Sequence, residues 1–175
     1  MSKCHIFVGA TDTGKSHQIK QLLKKVNKDA LFIYDVNNEY REFFPYPFVD
    51  FDRFIEAATR LKNAVLVVEE ATIFLNNRSS NEFLREILVR KKHTNVFIIL
   101  VFHSVRAIPR YIYELSNYIT IFNTNDSPDM SAKELKDERI EKIMLEVRNN
   151  TDKKFIHKKP DGTLVHFFNK TLKIY

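Results

Sequence analysis

The sequence predicts an α/β fold: a mostly parallel sheet of about five strands flanked by helices, with a C-terminal helix and β-hairpin appendage. Three observations carry that expectation. Short apolar runs alternate along the chain with stretches of helical periodicity. The apolar runs lack the strict alternation of a half-exposed strand, which marks strands covered on both faces. Only three of the 175 residues are glycine, and two of them, Gly9 and Gly14, stand directly after the first apolar run. Ordinary usage of about 7% would supply roughly 12.

The elements follow in order. His5-Ile-Phe-Val8 reads as a buried first strand that runs straight into Gly9. From Lys15 the pattern turns helical, with Ile19, Leu22, Leu23 and Val26 at i, i+3, i+4, i+7 spacing. Ala30–Tyr34 is the second strand and ends at Asp35; Phe54, Ala57, Ala58 and Leu61 mark the next helix. Ala64–Val68 is the third strand, followed at once by Glu69 and Glu70. Ser79 and Glu82 have capping-box spacing ahead of a helix carrying Phe83, Ile87 and Leu88. Val96–Phe102 is the fourth strand, ending at His103; a helix over Pro109–Leu115 and a fifth strand over Tyr118–Phe122 complete the core. Asn123–Met130 reads as a polar loop. Ser131 and Glu134 repeat the capping-box spacing before a helix bearing Ile140, Ile143, Met144 and Val147. Phe155–His157 and Leu164–Phe168 flank Pro160-Asp161-Gly162, a hairpin signature. Residues 1–175 are expected to form a single domain, 1–122 as its core and 123–175 as an αββ extension.

Composition sets outer bounds. With 44% hydrophobic and 13% aromatic residues the chain can bury a core. Cys4 is the single cysteine, so neither an intrachain disulfide nor a cysteine-rich zinc site is available, which suits a reducing, cytoplasmic setting. The longest apolar run, Val96–Phe102, falls far short of the ~20 residues of a membrane helix, and no signal peptide pattern opens the chain. A soluble protein without a transmembrane segment is expected. The net charge of +6 permits an anionic partner such as nucleic acid without demanding one.

Gly9-Ala10-Thr11-Asp12-Thr13-Gly14-Lys15-Ser16 matches G-x-x-x-x-G-K-[ST], between a strand and a helix as the motif requires. Glycines let the backbone wrap phosphate so that successive amides donate to it, and the following helix N-terminus adds to that field. The expected ATP-binding stretch runs from Gly9 through His17, whose ring is given no chemistry of its own. Lys15 is expected to reach the β- and γ-phosphates, and Ser16 to ligate Mg²⁺. Glu69 would hold Mg²⁺ through water, and Glu70 would orient the attacking water. Two adjacent like charges at a strand end are otherwise a costly pairing. His103 has the sensor position only if its strand lies between the first and third, where its tip faces the γ-phosphate. Arginine is needed to stabilise charge on the transferring phosphoryl group; the candidates are Arg85, Arg90, Arg106 and Arg110, with Arg90 preferred. His5, His93, His157 and His166 take no role.

Together these motifs resemble the FtsK–HerA superfamily of P-loop ATPases, and within it the genome-packaging enzymes of viruses. The resemblance rests on Gly9–Ser16, on Asp35-Val-Asn-Asn-Glu39-Tyr40, on Leu66-Val-Val-Glu69-Glu70-Ala71, on the arginine-bearing Arg85–Lys91 segment, and on His103-Ser-Val-Arg-Ala-Ile-Pro109. It covers roughly residues 3–122. Glu69 stands where the family usually has aspartate, and His103 where glutamine or another small polar residue is commoner. The resemblance implies an ATP- and Mg²⁺-dependent motor that moves double-stranded DNA through a homo-oligomeric ring, a pentamer or hexamer. A viral member would work in the host cytoplasm, at the virion vertex, with a capsid or portal protein as partner. Arg90-Lys91-Lys92, Lys153-Lys154 and Lys158-Lys159 are the basic clusters that could face DNA phosphates, although a solvated charged face is the commoner explanation.

Two other classes share the phosphate loop. A nucleoside or small-molecule kinase must exclude water, has no use for Glu70 aimed at one, and usually carries an arginine-rich lid. Only Arg139 and Arg148 follow Leu115, with no such cluster. A nucleotide-binding assembly protein with little turnover has no need of the complete Lys15, Ser16, Glu69 and Glu70 set.

Overall fold

The computed structural model describes residues 3–43, 48, 50–75, 78–150, 165–168 and 171–174. Strands β1 (Cys4–Val8), β2 (Leu31–Tyr34), β3 (Val65–Val68), β4 (Phe97–Phe102) and β5 (Tyr118–Ile121) make an all-parallel set. Interleaved with them are α1 (Lys15–Leu23), α2 (Phe51–Thr59), α3 (Ala71–Leu75), α4 (Arg78–Thr94) and α5 (Arg110–Leu115). Helices α6 (Pro128–Leu135) and α7 (Arg139–Asn150) and strands β6 (Val165–Phe168) and β7 (Thr171–Ile174) follow. The α/β class expected from the apolar runs is therefore the one observed.

The chain forms two compact units. One holds the residues up to His5 together with Ser16–Val101; the other holds Ile6–Lys15 and the residues from Phe102 onward. In the first unit β2 pairs β3 and β3 pairs β4, parallel and in register from Leu31↔Val65 and Val65↔Phe97. The opening of β1 lies beside β4, with Ile98 N donating to Lys3 O at 2.8 Å. Leu31, Ile33, Leu66, Val67, Ile98, Ile99 and Leu100 are all buried, as continuous apolar runs require when helices cover both faces. Helix α2 starts where Asp50 caps it, accepting from Arg53 N at 3.1 Å, and it buries Phe54 and Ala58. Phe54 packs against Tyr34 at 5.4 Å between ring centroids and against Phe48 at 5.6 Å.

In the second unit Gly9, just past β1, donates to Phe102 O at 3.1 Å on one side, and Val8 O accepts from Phe122 N at 2.8 Å on the other. The order continues β5-β6-β7, with β6 antiparallel to both neighbours. Helix α7 turns Ile140, Ile143, Met144 and Val147 inward, each less than 5% exposed, at the spacing read from the sequence.

Three expectations change. Ser79 lies inside α4 and so does not cap it, because the helix already begins at Arg78. Ser131 likewise lies inside a helix, α6; Ser127 takes the N-cap position with Pro128 following at N1. The expected loop over 123–130 therefore ends early, and α6 stops at Lys136, whose φ of 53° turns the chain so that Asp137 N bonds Ala132 O at 3.0 Å. Finally, Val165–Phe168 pairs antiparallel with Thr171–Ile174. The expected strand at Phe155–His157 and the turn at Pro160–Gly162 lie outside the described residues.

Candidate nucleotide site

The phosphate loop grows out of β1 by continuing its ladder. Ala10 N donates to Asn123 O at 2.9 Å, holding the loop against the end of β5. That closeness dictates the glycine: a Cβ on Gly9 would sit 2.5 Å from Phe122 Cβ and 2.8 Å from Thr13 Oγ1. Gly14 has φ 95°, which glycine alone adopts freely, and Asp12 at φ 60° takes the left-handed turn that aspartate tolerates. Thr13 folds its hydroxyl onto Ala10 O at 2.7 Å.

Lys15 is 5% exposed, and its Nζ donates to Gly9 O and Ala10 O, each at 2.8 Å. A buried ammonium needs such partners. A phosphate oxygen would offer the same group a charged acceptor and a stronger bond. Helix α1 starts at Lys15, so its unpaired N-terminal amides belong to the same stretch of chain. Thr11, Asp12 and His17 are exposed, and Ala10, Gly14 and Ser16 are half-buried.

The carboxylates stand at the end of β3. Glu69 N extends the ladder to Tyr34 O at 3.1 Å, and its side chain is buried at 2% exposure. The Tyr40 hydroxyl donates to Glu69 Oε2 at 3.0 Å, and the Ser16 hydroxyl lies beside the same phenol. Tyr40 reaches this position because Asp35, fully buried at the end of β2, accepts Glu39 N at 3.1 Å and Tyr40 N at 2.8 Å. Asn38 completes the turn at φ 56°. Burial pushes the Tyr40 phenol far above its ordinary range, and the Glu69 carboxylate pushes it further, so it stays a proton donor.

Glu70 is half-buried and has φ 57°, at the junction of β3 and α3, where Ile73 N bonds its carbonyl at 3.0 Å. A glutamate in the left-handed region is uncommon, and backbone of this kind concentrates at functional positions.

His103 follows β4, which has β3 on one side and β1 on the other, so the condition set for its sensor position is met. The loop after it is held by a residue the sequence reading passed over. Asp126 accepts Ser104 Oγ and Val105 N, both at 2.7 Å, while Arg148 of α7 donates to the carbonyls of Thr124 and Asp126 at 3.1 and 2.9 Å. Asp126 lies in a run of turn-forming residues, and nothing in its spacing marked it out.

The candidate arginines have partners on their own surfaces. Arg90 bonds Glu86 at 2.8 Å, Arg106 bonds Glu134 at 2.8 Å and Arg110 bonds Glu114 at 2.8 Å, while Arg85 is exposed on α4. Of the basic clusters, Lys91 is only 5% exposed, and burial lowers its pKa. Lys153, Lys154, Lys158 and Lys159 lie outside the described residues.

The fold and the loop together define the P-loop NTPase architecture. No family model and no curated protein matches the chain in sequence. Its structure is similar to that of the DNA-packaging ATPase B204 from Sulfolobus turreted icosahedral virus, with a TM-score of 0.75 at 15% identity, covering 99% of this chain and 97% of that one. It is also similar to the genome packaging NTPase B204 from Sulfolobus turreted icosahedral virus 2 in complex with ATP-γS (TM-score 0.74, 19% identity, covering 99% of this chain and 96% of that one). A third similar structure is the pCW3 conjugation coupling protein TcpA with ATP-γS, at TM-score 0.66 and 10% identity, covering 99% of this chain and 59% of that one.

Proposed function

We propose that this chain is an ATP-hydrolysing motor that translocates or packages double-stranded DNA as a homo-oligomeric ring. One observation carries the ATPase reading: the phosphate-loop motif is folded as a loop, with Gly9 wedged, Gly14 at positive φ and Lys15 drawn in among the loop carbonyls. The motor reading is supported by the likeness to packaging NTPases over nearly the whole of both chains. Among the described residues no helix is long and apolar enough to cross a membrane.

The residues divide the work. Lys15 exchanges the carbonyls of Gly9 and Ala10 for β- and γ-phosphate oxygens, and the loop amides complete the cradle. Ser16 and Glu69 are the oxygen donors for Mg²⁺. Both are hard oxygen donors, the kind Mg²⁺ takes while keeping waters and drawing its other ligands from phosphates. Mg²⁺ there would neutralise charge developing between the phosphates. Glu70 orients and polarises the attacking water, His103 senses the γ-phosphate, and Arg90 is supplied to a neighbouring subunit's nucleotide.

The test is ATP hydrolysis with and without double-stranded DNA. DNA is expected to stimulate turnover, and Glu70→Gln to abolish it while ATP still binds. Phosphorylation of a nucleoside with no response to DNA would overturn the motor reading in favour of a kinase. A particle that stays monomeric with an ATP analogue and DNA would overturn the ring.

A further inference from the structure

The Tyr40 phenol touches both residues expected to serve the metal. It donates to Glu69 Oε2 at 3.0 Å and lies beside the Ser16 hydroxyl, while being wholly inaccessible to solvent. Neither neighbour is close to it in sequence. Ser16 is the second residue of α1, Glu69 directly follows β3, and Tyr40 sits on the turn after β2. The turn has a builder of its own: the buried Asp35 carboxylate takes the Glu39 and Tyr40 amides, one on each oxygen, which sets where the ring enters.

We infer that Tyr40 is a positioning residue for the divalent cation, holding the Glu69 carboxylate in place beside the Ser16 hydroxyl. The inference rests on the reading of Ser16 and Glu69 as its oxygen donors. The chemistry explains why a tyrosine is needed. A carboxylate that presents one oxygen toward a hydrated cation must have its other oxygen satisfied, or the group rotates. Tyr40 supplies that second bond from a rigid ring with two side-chain torsions, in a site with no solvent to replace it. A phenylalanine fills the same volume and leaves Glu69 Oε2 without this donor. Groups that orient a metal's ligands in this way change metal affinity by roughly 10–100-fold when removed.

The role has a signature that simple stabilisation lacks. Binding of nucleotide without metal depends on Lys15 and the loop amides, whereas the bonds of Tyr40 run to Asp35 and Glu69. Loss of the phenol should therefore act only on the increment that Mg²⁺ adds.

The experiment titrates the full chain with a fluorescent, non-hydrolysable ATP analogue, once in EDTA and once across a Mg²⁺ series. Four proteins are compared: wild type, Tyr40→Phe, Ser16→Ala and Glu69→Gln. Tyr40→Phe is expected to match wild type in EDTA, and to need roughly tenfold more Mg²⁺ for half-maximal tightening. Asp35→Asn, which removes one of the two acceptors seating the turn, is expected to shift the Mg²⁺ requirement in the same direction. It serves as the second variant if Tyr40→Phe does not fold. Wild-type Mg²⁺ dependence in Tyr40→Phe and Asp35→Asn, beside impaired Ser16→Ala and Glu69→Gln, overturns the role of Tyr40 and leaves the metal assignment standing. Unchanged Mg²⁺ dependence in Ser16→Ala and Glu69→Gln overturns the metal assignment, and the role of Tyr40 with it.

Discussion

Ser104 donates its hydroxyl to the Asp126 carboxylate at 2.7 Å, tying the loop that follows His103 to the loop that follows β5. The other carboxylate oxygen takes Val105 N at 2.7 Å, so one side chain fixes two successive residues beyond His103. Asp126→Ala removes both bonds. It is expected to cost about 1–3 kcal/mol in urea unfolding, the range for leaving partly buried donors without a charged acceptor. Turnover should fall while the affinity for ATP analogue stays at the wild-type value, because the phosphate loop is untouched. Asp126→Asn keeps one acceptor and should recover part of both losses. A fall in analogue affinity equal to the fall in turnover would refute a role confined to the His103 loop.

Gly9→Ala tests the close approach directly. The added methyl would meet Phe122 Cβ at 2.5 Å, an atom fixed by the backbone of its own strand end, so no rotamer change relieves it. The loop must move instead, and overpacking of this kind costs about 1–3 kcal/mol. Nucleotide binding should weaken more than global stability, since the displaced atoms are those that line the cradle. A variant that binds ATP analogue as wild type does would show that the loop has slack the distances do not suggest.

What was legible in the sequence divides along physical lines. Strands β1–β5 and α1 were readable because burial on both faces leaves unbroken apolar runs, and Ile19 with Leu23 repeats at helical spacing. The phosphate loop was readable because glycine is scarce here and the motif is contiguous. Glu69 and Glu70 were readable as carboxylates at a strand end, although the left-handed backbone of Glu70 was not, since no local pattern encodes it. Helix α6 was missed because Ser127-Pro128-Asp129 reads equally as a turn or as a helix start, and only the burial of Ala132 and Leu135 decides it. Asp126 and the Tyr40–Glu69 bond join residues 22 and 29 positions from their partners, a range over which periodicity carries no information.

Cys4 offers a test of the first unit. Its thiol is fully buried in β1, and burial pushes its pKa up to about 12, with the Lys91 ammonium opposing the shift. The thiolate is the reactive form, so the native protein should not react with a disulfide reagent at pH 8. Labelling should appear only in step with unfolding by urea. Fast stoichiometric labelling of folded protein would show that β1 opens locally.

Asp137 makes the second unit sensitive to acid. Burial acts to raise its pKa, but bonds from Arg139 and from the Tyr113 hydroxyl, at 2.6 and 2.7 Å, outweigh it and hold the carboxyl below its ordinary 3.8. A lowered folded pKa means that the contribution is complete above the unfolded value and is lost as pH falls through the folded one. The gap in unfolding midpoint between wild type and Asp137→Asn should be constant from pH 7 to 5, shrink below the unfolded value of 3.8, and close in stronger acid. A gap that persists unchanged in strong acid would mean that the carboxylate charge is not what holds Arg139.

Arg90 separates catalysis from folding most sharply. Its bond to Glu86 is an exposed i,i+4 pair, with 57% and 52% of the two side chains accessible, and such pairs contribute less than about 0.5 kcal/mol. Arg90→Ala should therefore unfold with wild type, and any loss of hydrolysis must come from elsewhere. If Arg90 reaches a neighbour's nucleotide, Arg90→Ala and Glu70→Gln are each inactive alone but complement when mixed. A junction works wherever an intact Glu70 meets an intact Arg90 from the next subunit, so random equal mixing should restore roughly a quarter of the wild-type rate in a head-to-tail ring. Hydrolysis by Arg90→Ala alone at the wild-type rate would pass the role to Arg85, the other candidate arginine on α4. A mixture as inactive as its parents would instead confine Arg90 to its own subunit.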